Sequence, residues 1–250
     1  MKHIFGPLIS RRLGCSLGID PVGYKTCSFD CIYCECGTTS RLSATRERFF
    51  PPEELLEEVD RFLSSNPAPD WITFGGSGEP LLSLDFPLFT RTIHADYPEI
   101  PQALLTNSVF LNDPAIRPEL NNLSLILPSL DTALESNFNR INRPHPDIHF
   151  STILEALISL RDNFQGNIWL EVFIIPGIND SKEEIEEFRR IITRIRPDRI
   201  QLNTLDRPGA VTGLRKADSK QLCRFRDLLH LPHTEIIARS HLPDTRKEAI

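Results

Sequence analysis

The sequence contains no apolar stretch long enough to cross a membrane. None of its apolar runs approaches the roughly 20 residues that a transmembrane helix requires. At the N-terminus, Arg11 and Arg12 appear before the apolar segment of a signal peptide can develop. We therefore expect a soluble, cytoplasmic protein without a membrane partner.

The sequence also lacks an excess of positive charge, since its net charge at pH 7 is −6. A protein with this balance has no overall attraction for phosphates, so a nucleic-acid substrate requires a local basic patch. Arg41, Arg46 and Arg48 are the candidates for such a patch. A solvated basic loop is the simpler interpretation of these three residues.

No low-complexity linker and no change of composition divides the 250 residues. We expect a single domain at residues 1–250, with an N-terminal leader at residues 1–24 and a core at residues 25–240. Helical and strand patterns alternate through this core. The predicted helices begin at residues 52, 86, 151, 181 and 220. The predicted strands cover residues 71–74, 103–106, 123–127, 168–175, 199–203 and 235–238.

This alternation is typical of the α/β class, in which a parallel sheet is connected by crossover helices. About six repeats predict a partial (β/α)6 TIM-like barrel, and a doubly wound sheet is the alternative. In both folds, ligands bind at the carboxyl ends of the strands. Polar residues collect there, at residues 75–79, 106–108, 129–131, 176–177 and 203–204. We expect these segments to share one pocket.

The six cysteines do not indicate disulfides, because a cytoplasmic chain of this length needs no such cross-links. Metal or redox chemistry is the better interpretation. Cys27, Cys31 and Cys34 form a C-x3-C-x2-C pattern, which places three soft thiolates on one short loop. Because a [4Fe-4S] cluster has four irons, three thiolates leave one iron available to a small molecule.

A structural zinc site is the alternative, with Cys36 as the fourth thiolate. Zinc sites of four cysteines usually combine two ligand pairs separated by a longer spacer, whereas these thiols crowd one segment. The short separation of Cys34 and Cys36 also makes joint ligation strained. We expect Cys36 to be a bystander or to lie near the substrate.

The cysteine pattern resembles the signature of the radical S-adenosylmethionine (SAM) superfamily, C-x3-C-x-aromatic-C, with Tyr33 at the aromatic position. The resemblance implies that Cys27, Cys31 and Cys34 bind a [4Fe-4S] cluster. It also implies that SAM binds the remaining iron through its amino and carboxylate groups, and that the ring of Tyr33 borders the adenine.

A glycine-rich segment adds to this resemblance. Residues 74–80 (Phe-Gly-Gly-Ser-Gly-Glu-Pro) follow a predicted strand, and missing side chains at such a turn let backbone groups approach a ligand. In the superfamily, a Gly-Gly-Glu-Pro-like segment at this position binds the amino group of SAM. By resemblance, Gly76, Gly78 and Glu79 take this role, with Ser77 inserted between the two glycines.

Further candidates follow the later strands. Ser129 and Asp131 resemble the residues that contact ribose or carboxylate after the fourth strand of the superfamily, and each is also a suitable helix cap. Asn107 belongs to a Thr-Asn-Ser turn, where it is either a turn residue or a cofactor contact.

Basic residues before the cysteine loop are open to two interpretations. Lys25, Arg11 and Arg12 can neutralise a carboxylate or steer an anionic substrate, and solvated basic residues are the simpler interpretation.

The resemblance implies an enzyme that splits SAM reductively into methionine and a 5′-deoxyadenosyl radical, which abstracts hydrogen from a substrate. It implies a one-electron donor of the flavodoxin or ferredoxin type. The leader at residues 5–20 resembles that of wybutosine-synthesis enzymes, which act on a tRNA guanine. The substrate stays open among a small molecule, a tRNA base and a peptide. Two alternatives also stay open: an activase acting on a glycine of a partner protein, and a non-catalytic four-cysteine zinc-binding module.

Overall fold

The computed structural model describes residues 1–237. The strands are β1 (Ile4–Ser10), β2 (Gly14–Ile19), β3 (Thr26–Cys27), β4 (Arg41–Leu42), β5 (Trp71–Phe74), β6 (Gln102–Thr106), β7 (Leu125–Pro128), β8 (Asn167–Phe173), β9 (Arg199–Asn203) and β10 (Thr234–Ile236). The α-helices are α1 (Pro52–Ser65), α2 (Phe86–Asp96), α3 (Glu135–Ile141), α4 (Phe150–Asn163), α5 (Lys182–Ile195) and α6 (Ser219–Leu229). Two 3-10 helices cover Pro80–Leu82 and Arg117–Asn122.

Within residues 1–237, the main sheet has eight strands in the order β1-β2-β5-β6-β7-β8-β9-β10. Each neighbouring pair from β2 to β10 is parallel, whereas β1 and β2 are antiparallel. A doubly wound sheet reverses its strand order at a switch point. Here the spatial order follows the chain, so the doubly wound alternative is wrong. The prediction of a partial parallel barrel with crossover helices is confirmed.

The predicted leader is part of this sheet. Its residues form the β1–β2 hairpin, and β2 pairs in parallel with β5, with Leu17 opposite Ile72. The leader therefore supplies a parallel strand in addition to the predicted ones, which correspond to β5–β10. Glycines and prolines interrupt the alternation of apolar residues in this segment, so the sequence pattern did not reveal the hairpin. The predicted boundary at residue 24 thus separates strands that belong to one sheet.

The two edges of the sheet are β1 and β10. Arg11, in the turn of the β1–β2 hairpin, reaches the opposite edge and donates a hydrogen bond from Nη1 to Ile237 O at 2.6 Å. The same side chain forms an ion pair with Asp206, which follows β9, at 2.8 Å. A side chain of the hairpin thus connects the two edges.

The core lies between the sheet and the helices. Apolar residues recur on one face of α5 at spacings of three and four, and Ile185, Phe188, Ile192 and Ile195 are all buried. Full burial of one such side chain stabilises the fold by about 1.5–3 kcal/mol. The core therefore fixes the positions of the strand ends.

Most predicted elements are confirmed with small shifts in their ends. β5 and β9 match the predicted residues 71–74 and 199–203. β8 ends at Phe173, two residues earlier than predicted, because Asn179 Oδ1 accepts a hydrogen bond from Ile175 N and the chain turns there. The prediction for residue 238 lies outside the described residues. α3 was not predicted because it has only seven residues.

Ser181 and Glu184 at the start of α5 have the spacing of a capping box, but only half of the box forms. Ser181 accepts a hydrogen bond from Glu184 N at 3.1 Å, as an N-cap should. The carboxylate of Glu184 instead turns into the core, where it accepts hydrogen bonds from Thr132 and Ala133. Glu184 therefore holds the loop that follows β7. Within residues 1–237, no helix combines the length and the apolar content needed to cross a membrane.

Candidate active site

The loop from Cys27 to Cys34 begins at the end of β3 and lies against the C-terminal end of α3. Ile32 N donates a hydrogen bond to Ile141 O at 2.9 Å. Within the loop, Cys34 N donates to Cys31 O at 3.1 Å. Backbone hydrogen bonds therefore fix the cysteine loop, both within the loop and between the loop and α3.

Each of the three motif thiols faces a nitrogen donor. The pairs are Asn107 Nδ2 to Cys27 Sγ at 3.7 Å, Asn142 Nδ2 to Cys31 Sγ at 3.4 Å, and Lys25 Nζ to Cys34 Sγ at 3.3 Å. Donors at these positions stabilise sulfur that carries negative charge, as the sulfurs of an iron-sulfur cluster do. The donor set thus fits thiolates that bind a metal cluster.

Cys36 has a different environment. Its exposed thiol faces Gly76 O at 3.8 Å, so its sulfur is oriented as a donor towards a carbonyl. Cys15 lies on β2 and Cys223 on α6, both away from the cysteine loop. Cys36 also hydrogen-bonds with Cys34, so it lies beside the motif thiols but faces a carbonyl instead of a nitrogen donor. Its expected role as a bystander or a neighbour of the substrate stays a prediction.

Burial keeps two of the motif thiols protonated in the absence of a compensating cation. It raises the pKa of Cys27 to about 12 and raises that of Cys31 well above its usual value. The pKa of Cys34 is lowered, first by a hydrogen bond with Cys36 and also by Lys25. Buried thiols with these values become thiolates when a metal offsets their charge. The residues therefore fit a [4Fe-4S] cluster.

The glycine-rich turn after β5 packs directly on β3. A Cβ atom at Gly78 would lie 1.9 Å from Thr26 O, and Glu79 N donates a hydrogen bond to that oxygen at 3.2 Å. Gly76 has a φ of +153°, and a Cβ there would lie 2.6 Å from Asp20 Cγ. Only glycine fits at these two positions. The turn is thereby brought against the strand that carries Cys27.

Asp20 supports this turn and was not predicted as a site residue. Its Oδ2 accepts hydrogen bonds from Ser77 N at 2.8 Å and from Ser77 Oγ at 2.7 Å. Its Oδ1 is buried without a hydrogen-bond partner within residues 1–237. The position of an acid directly after β2 is the sequence signal that could have identified it.

Glu79 is 2% exposed and connects two strand ends. Its carboxylate accepts hydrogen bonds from Leu81 N at 3.1 Å, from Thr106 Oγ1 at 2.7 Å and from Asn107 N at 2.8 Å. Burial raises the pKa of Glu79 to about 7. Both oxygens face protein donors, so Glu79 positions Asn107, whose amide faces Cys27.

Tyr33 and Asp131 form one hydrogen-bonded group. Tyr33 OH donates to Asp131 Oδ2 at 2.5 Å, and Asn142 Nδ2 donates to the same oxygen at 2.7 Å. The ring of Tyr33 stacks on Phe173 with centroids 4.1 Å apart. Burial raises the pKa of Asp131 to about 6, and its Oδ1 has no hydrogen-bond partner within the described residues. Asn142, which no sequence pattern singled out, thus joins Cys31 to Asp131.

The remaining predicted residues lie beside this group. Ser129 N donates to Thr106 O at 3.0 Å, which joins the ends of β6 and β7. Asn107, Ser129 and Asp131 border one small hollow at the carboxyl ends of the strands. Gly76 and Gly78 lie on the turn after β5, against the chain that leads into the cysteine loop. The structure therefore brings the predicted residues to one end of the sheet.

The three arginines considered as a basic patch are each paired with an acid. The pairs are Arg41 with Glu47, Arg46 with Asp113 at 3.2 Å, and Arg48 with Asp85 at 2.8 Å. Their charges are largely neutralised where they stand. The geometry argues against a free basic patch, but the side chain of Arg46 is only 8% exposed and is not solvated as the simpler interpretation expected.

Fold and site together define a partial parallel barrel that carries a three-cysteine loop and a glycine-rich turn at the carboxyl ends of its strands. The chain belongs to the radical SAM superfamily, whose family model matches residues 22–190. It is therefore an enzyme of a family that uses a [4Fe-4S] cluster and SAM.

Three curated relatives cover most of the chain. It is 39% identical over 206 residues to a protein named GTPase Obg of Brachyspira hyodysenteriae, with 82% of this chain and 30% of that protein covered. It is 34% identical over 210 residues to a UPF0026 protein of Methanocaldococcus jannaschii, covering 83% and 65% of the two chains. It is 34% identical over 206 residues to a UPF0026 protein of Synechocystis, covering 82% and 76%. The chain thus spans less than two thirds of the first two relatives.

Solved structures share the fold at low sequence identity. A radical SAM methyltransferase from Sphaerobacter thermophilus has a TM-score of 0.66 and 15% identity, covering 90% of this chain and 66% of that one. Archaeal TYW1 has a TM-score of 0.58 and 14% identity, covering 86% and 71%. At these identities the likeness concerns the fold alone.

Proposed function

We propose that this chain cleaves SAM reductively at a [4Fe-4S] cluster and uses the resulting 5′-deoxyadenosyl radical to abstract hydrogen from a substrate. When bound, the reduced cluster supplies one electron to the sulfonium of SAM, and the bond from sulfur to the ribose 5′ carbon breaks. The observation that carries this proposal is the set of three thiols, each opposed by one nitrogen donor.

Cys27, Cys31 and Cys34 are the proposed cluster ligands. The thiolate charge is stabilised by one hydrogen-bond donor for each sulfur. These donors are Asn107, Asn142 and Lys25, respectively. Cys36 hydrogen-bonds with Cys34 and faces Gly76 O, and it faces no nitrogen donor among residues 1–237. This difference favours three ligands over the four of a zinc site and leaves one iron for SAM.

The proposed SAM-binding residues surround the cysteine loop. They are Tyr33, Gly76, Gly78, Glu79, Asn107, Ser129 and Asp131. Two further details refine this set. Asp20 retains an oxygen without a donor beneath Gly76, so we infer that Asp20 accepts from the ammonium of SAM and that Glu79 positions the turn. We infer that the hydrogen bond to Asp131 holds the Tyr33 ring for its proposed contact with the adenine.

Members of the superfamily need an electron donor, and we propose one of the flavodoxin or ferredoxin type for this chain. The substrate of the proposed reaction is a small molecule, an RNA base or a peptide. An activase acting on a partner's glycine is a second possibility within the same chemistry. The barrel would serve in each case to exclude water and oxygen from the radical.

The test is anaerobic reconstitution of the chain with iron and sulfide. We expect close to four irons per chain, given the cluster type, and 5′-deoxyadenosine after dithionite and SAM are added. Cys31→Ala should abolish both cluster and cleavage, whereas the matched control Cys36→Ala should retain them. Stoichiometric zinc without iron uptake would support the zinc-binding module. Cleavage that persists in Cys31→Ala would overturn the ligand assignment.

A further inference from the structure

A cavity of about 410 Å³ lies beneath the β1–β2 hairpin, on the side of the sheet that faces away from the helices. Its lining includes Thr73 of β5, Leu105 of β6, Leu127 of β7 and Glu171 of β8. The cavity reaches Gly76 and thereby borders the turn that we assign to SAM. Its volume lies within the range of about 300–1,000 Å³ that is usual for small-molecule sites.

Three arginines line this cavity: Arg11, Arg12 and Arg207. An acid anchors each one. Arg11 pairs with Asp206 at 2.8 Å, Arg207 pairs with Glu35 at 2.8 Å, and Arg12 pairs with Glu171. Among residues 1–237, Glu171 is the one of these three acids that lines the cavity. Each acid offsets one guanidinium charge, but Lys216 also pairs with Asp206, so these described groups carry four positive and three negative charges.

We propose that this cavity binds the substrate of the radical reaction through a phosphate monoester group held by Arg11, Arg12 and Arg207. The inference rests on the proposed function, since it assigns a substrate class to the same site. A phosphate monoester carries a charge of about −1.5 to −2 at pH 7 and three strong acceptor oxygens. This negative charge suits the positive charge that remains around the cavity once the ion pairs are counted.

The arginines differ in depth, which orients the phosphate. The side chain of Arg12 is 14% exposed, whereas that of Arg207 is 77% exposed at the rim. The planar guanidinium presents paired donors that match phosphate oxygens, and pairing with an acid fixes its orientation before the ligand arrives. Arg12 thus serves as the inner contact and Arg207 as the outer one.

The apolar part of the cavity lining suits the organic part of such a molecule. Leu13, Leu105 and Leu127 provide apolar surface, and the cavity continues from them to Gly75 and Gly76. A molecule anchored by its phosphate at the hairpin therefore extends towards the SAM turn. This arrangement presents a C–H bond of the substrate to the radical and keeps the charged group away from it.

The test uses the reconstituted chain under anaerobic conditions and measures binding by titration calorimetry. The probes are ribose 5-phosphate, ribose, succinate and a short single-stranded RNA without a terminal phosphate. We expect saturable binding of ribose 5-phosphate and no binding of ribose. Arg11→Gln and Arg12→Gln should each weaken binding at least about 10-fold, because each removes a charged hydrogen-bond donor.

Arg190→Gln is the matched control, since Arg190 forms an exposed pair with Glu187 on α5 and lies outside the cavity. This variant should bind ribose 5-phosphate as the unchanged chain does. Arg12→Gln leaves Glu171 unpaired, which can affect folding. Arg207→Gln is therefore tested as well, because Arg207 is exposed and its replacement should leave the fold intact. We expect it to weaken binding several-fold.

Several results would overturn the proposal: no binding of ribose 5-phosphate, equal binding in the arginine variants and the control, tighter binding of succinate, or binding of the RNA alone. SAM cleavage is measured separately. Arginine-dependent phosphate binding without SAM cleavage contradicts the proposed function and leaves the phosphate site standing. Cleavage without phosphate binding contradicts only the phosphate site.

Discussion

Lys25 donates a hydrogen bond from Nζ to Cys34 Sγ at 3.3 Å, although the residue is only 3% exposed. Its backbone has a φ of +53°, and its backbone N donates to Ser77 Oγ at 3.2 Å. One residue thus contacts both the cysteine loop and the glycine-rich turn. A lysine is rarely buried unless its charge is offset. Its position indicates that it offsets the negative charge of the thiolates.

Replacing Lys25 by Met should lower the reduction potential of the reconstituted cluster. A nearby positive charge favours the reduced, more negative cluster, and its loss shifts the potential by on the order of 100 mV at protein-like screening. Redox titration followed by electron paramagnetic resonance measures the shift. Lys182→Met, at an exposed lysine on α5, is the control and should leave the potential unchanged. An equal potential in both variants would show that Lys25 has no electrostatic role.

Replacing Asn142 by Asp should weaken both the fold and the cluster. Asn142 Nδ2 donates to Cys31 Sγ and to Asp131 Oδ2, so the change removes two buried hydrogen bonds and adds a second acid. We expect a loss of about 1–3 kcal/mol in the free energy of unfolding by urea, together with lower iron uptake. Asn139→Asp, on the exposed side of α3, should change neither quantity. Normal iron uptake in the Asn142 variant would contradict a role for this donor.

Replacing Gly78 by Ala should disrupt the site more than replacing Gly75, although both glycines belong to one turn. A Cβ at Gly78 meets Thr26 O at 1.9 Å, whereas a Cβ at Gly75 has its nearest contact at 3.4 Å. The first clash pushes the turn away from β3 and moves Cys27. Iron content after reconstitution and the unfolding midpoint measure the difference. Similar values for the two variants would argue against close packing of the turn on β3.

Glu79 predicts how the stability of the metal-free protein depends on pH. Burial raises its pKa to about 7 from its usual 4.5, so the folded state favours the protonated carboxyl. The contribution of Glu79 to the free energy of unfolding is about 3 kcal/mol. It is fully present below pH 4.5 and is lost as the pH rises through 7. Urea unfolding should show this slope of the free energy of unfolding against pH between about pH 5 and pH 8, because the two pKa values set this range. Glu79→Gln should flatten it, and an unchanged slope would assign the effect to another group.

The sequence predicted the residues whose chemistry is local. The spacing of Cys27, Cys31 and Cys34 and the glycine-rich turn can be read from short segments, and the turn lies at the carboxyl end of β5 as expected. The cysteine loop begins in β3, outside the main sheet. The alternation of strand and helix patterns also predicted the barrel, because each buried strand has its own apolar run. These features need no knowledge of distant contacts.

The residues that were missed depend on contacts between distant segments. Asn142 is 111 residues from Cys31, and Asp20 is 57 residues from Ser77, so neither contact leaves a local pattern. Glu184 shows the same limit, since its spacing from Ser181 is typical of a capping box but its carboxylate binds Thr132 and Ala133. Tertiary partners took precedence over the local preference in each case.

The connection of Arg11 to Ile237 O and to Asp206 has a consequence for access to the barrel. The first and last strands are joined here through a side chain and not through ladder hydrogen bonds. The pair of Arg12 with Glu171 of β8 is a second side-chain connection between the hairpin and the far strands. Because such contacts are each worth only about 0.5–3 kcal/mol, we expect the barrel to open at this seam before any pair of strands separates.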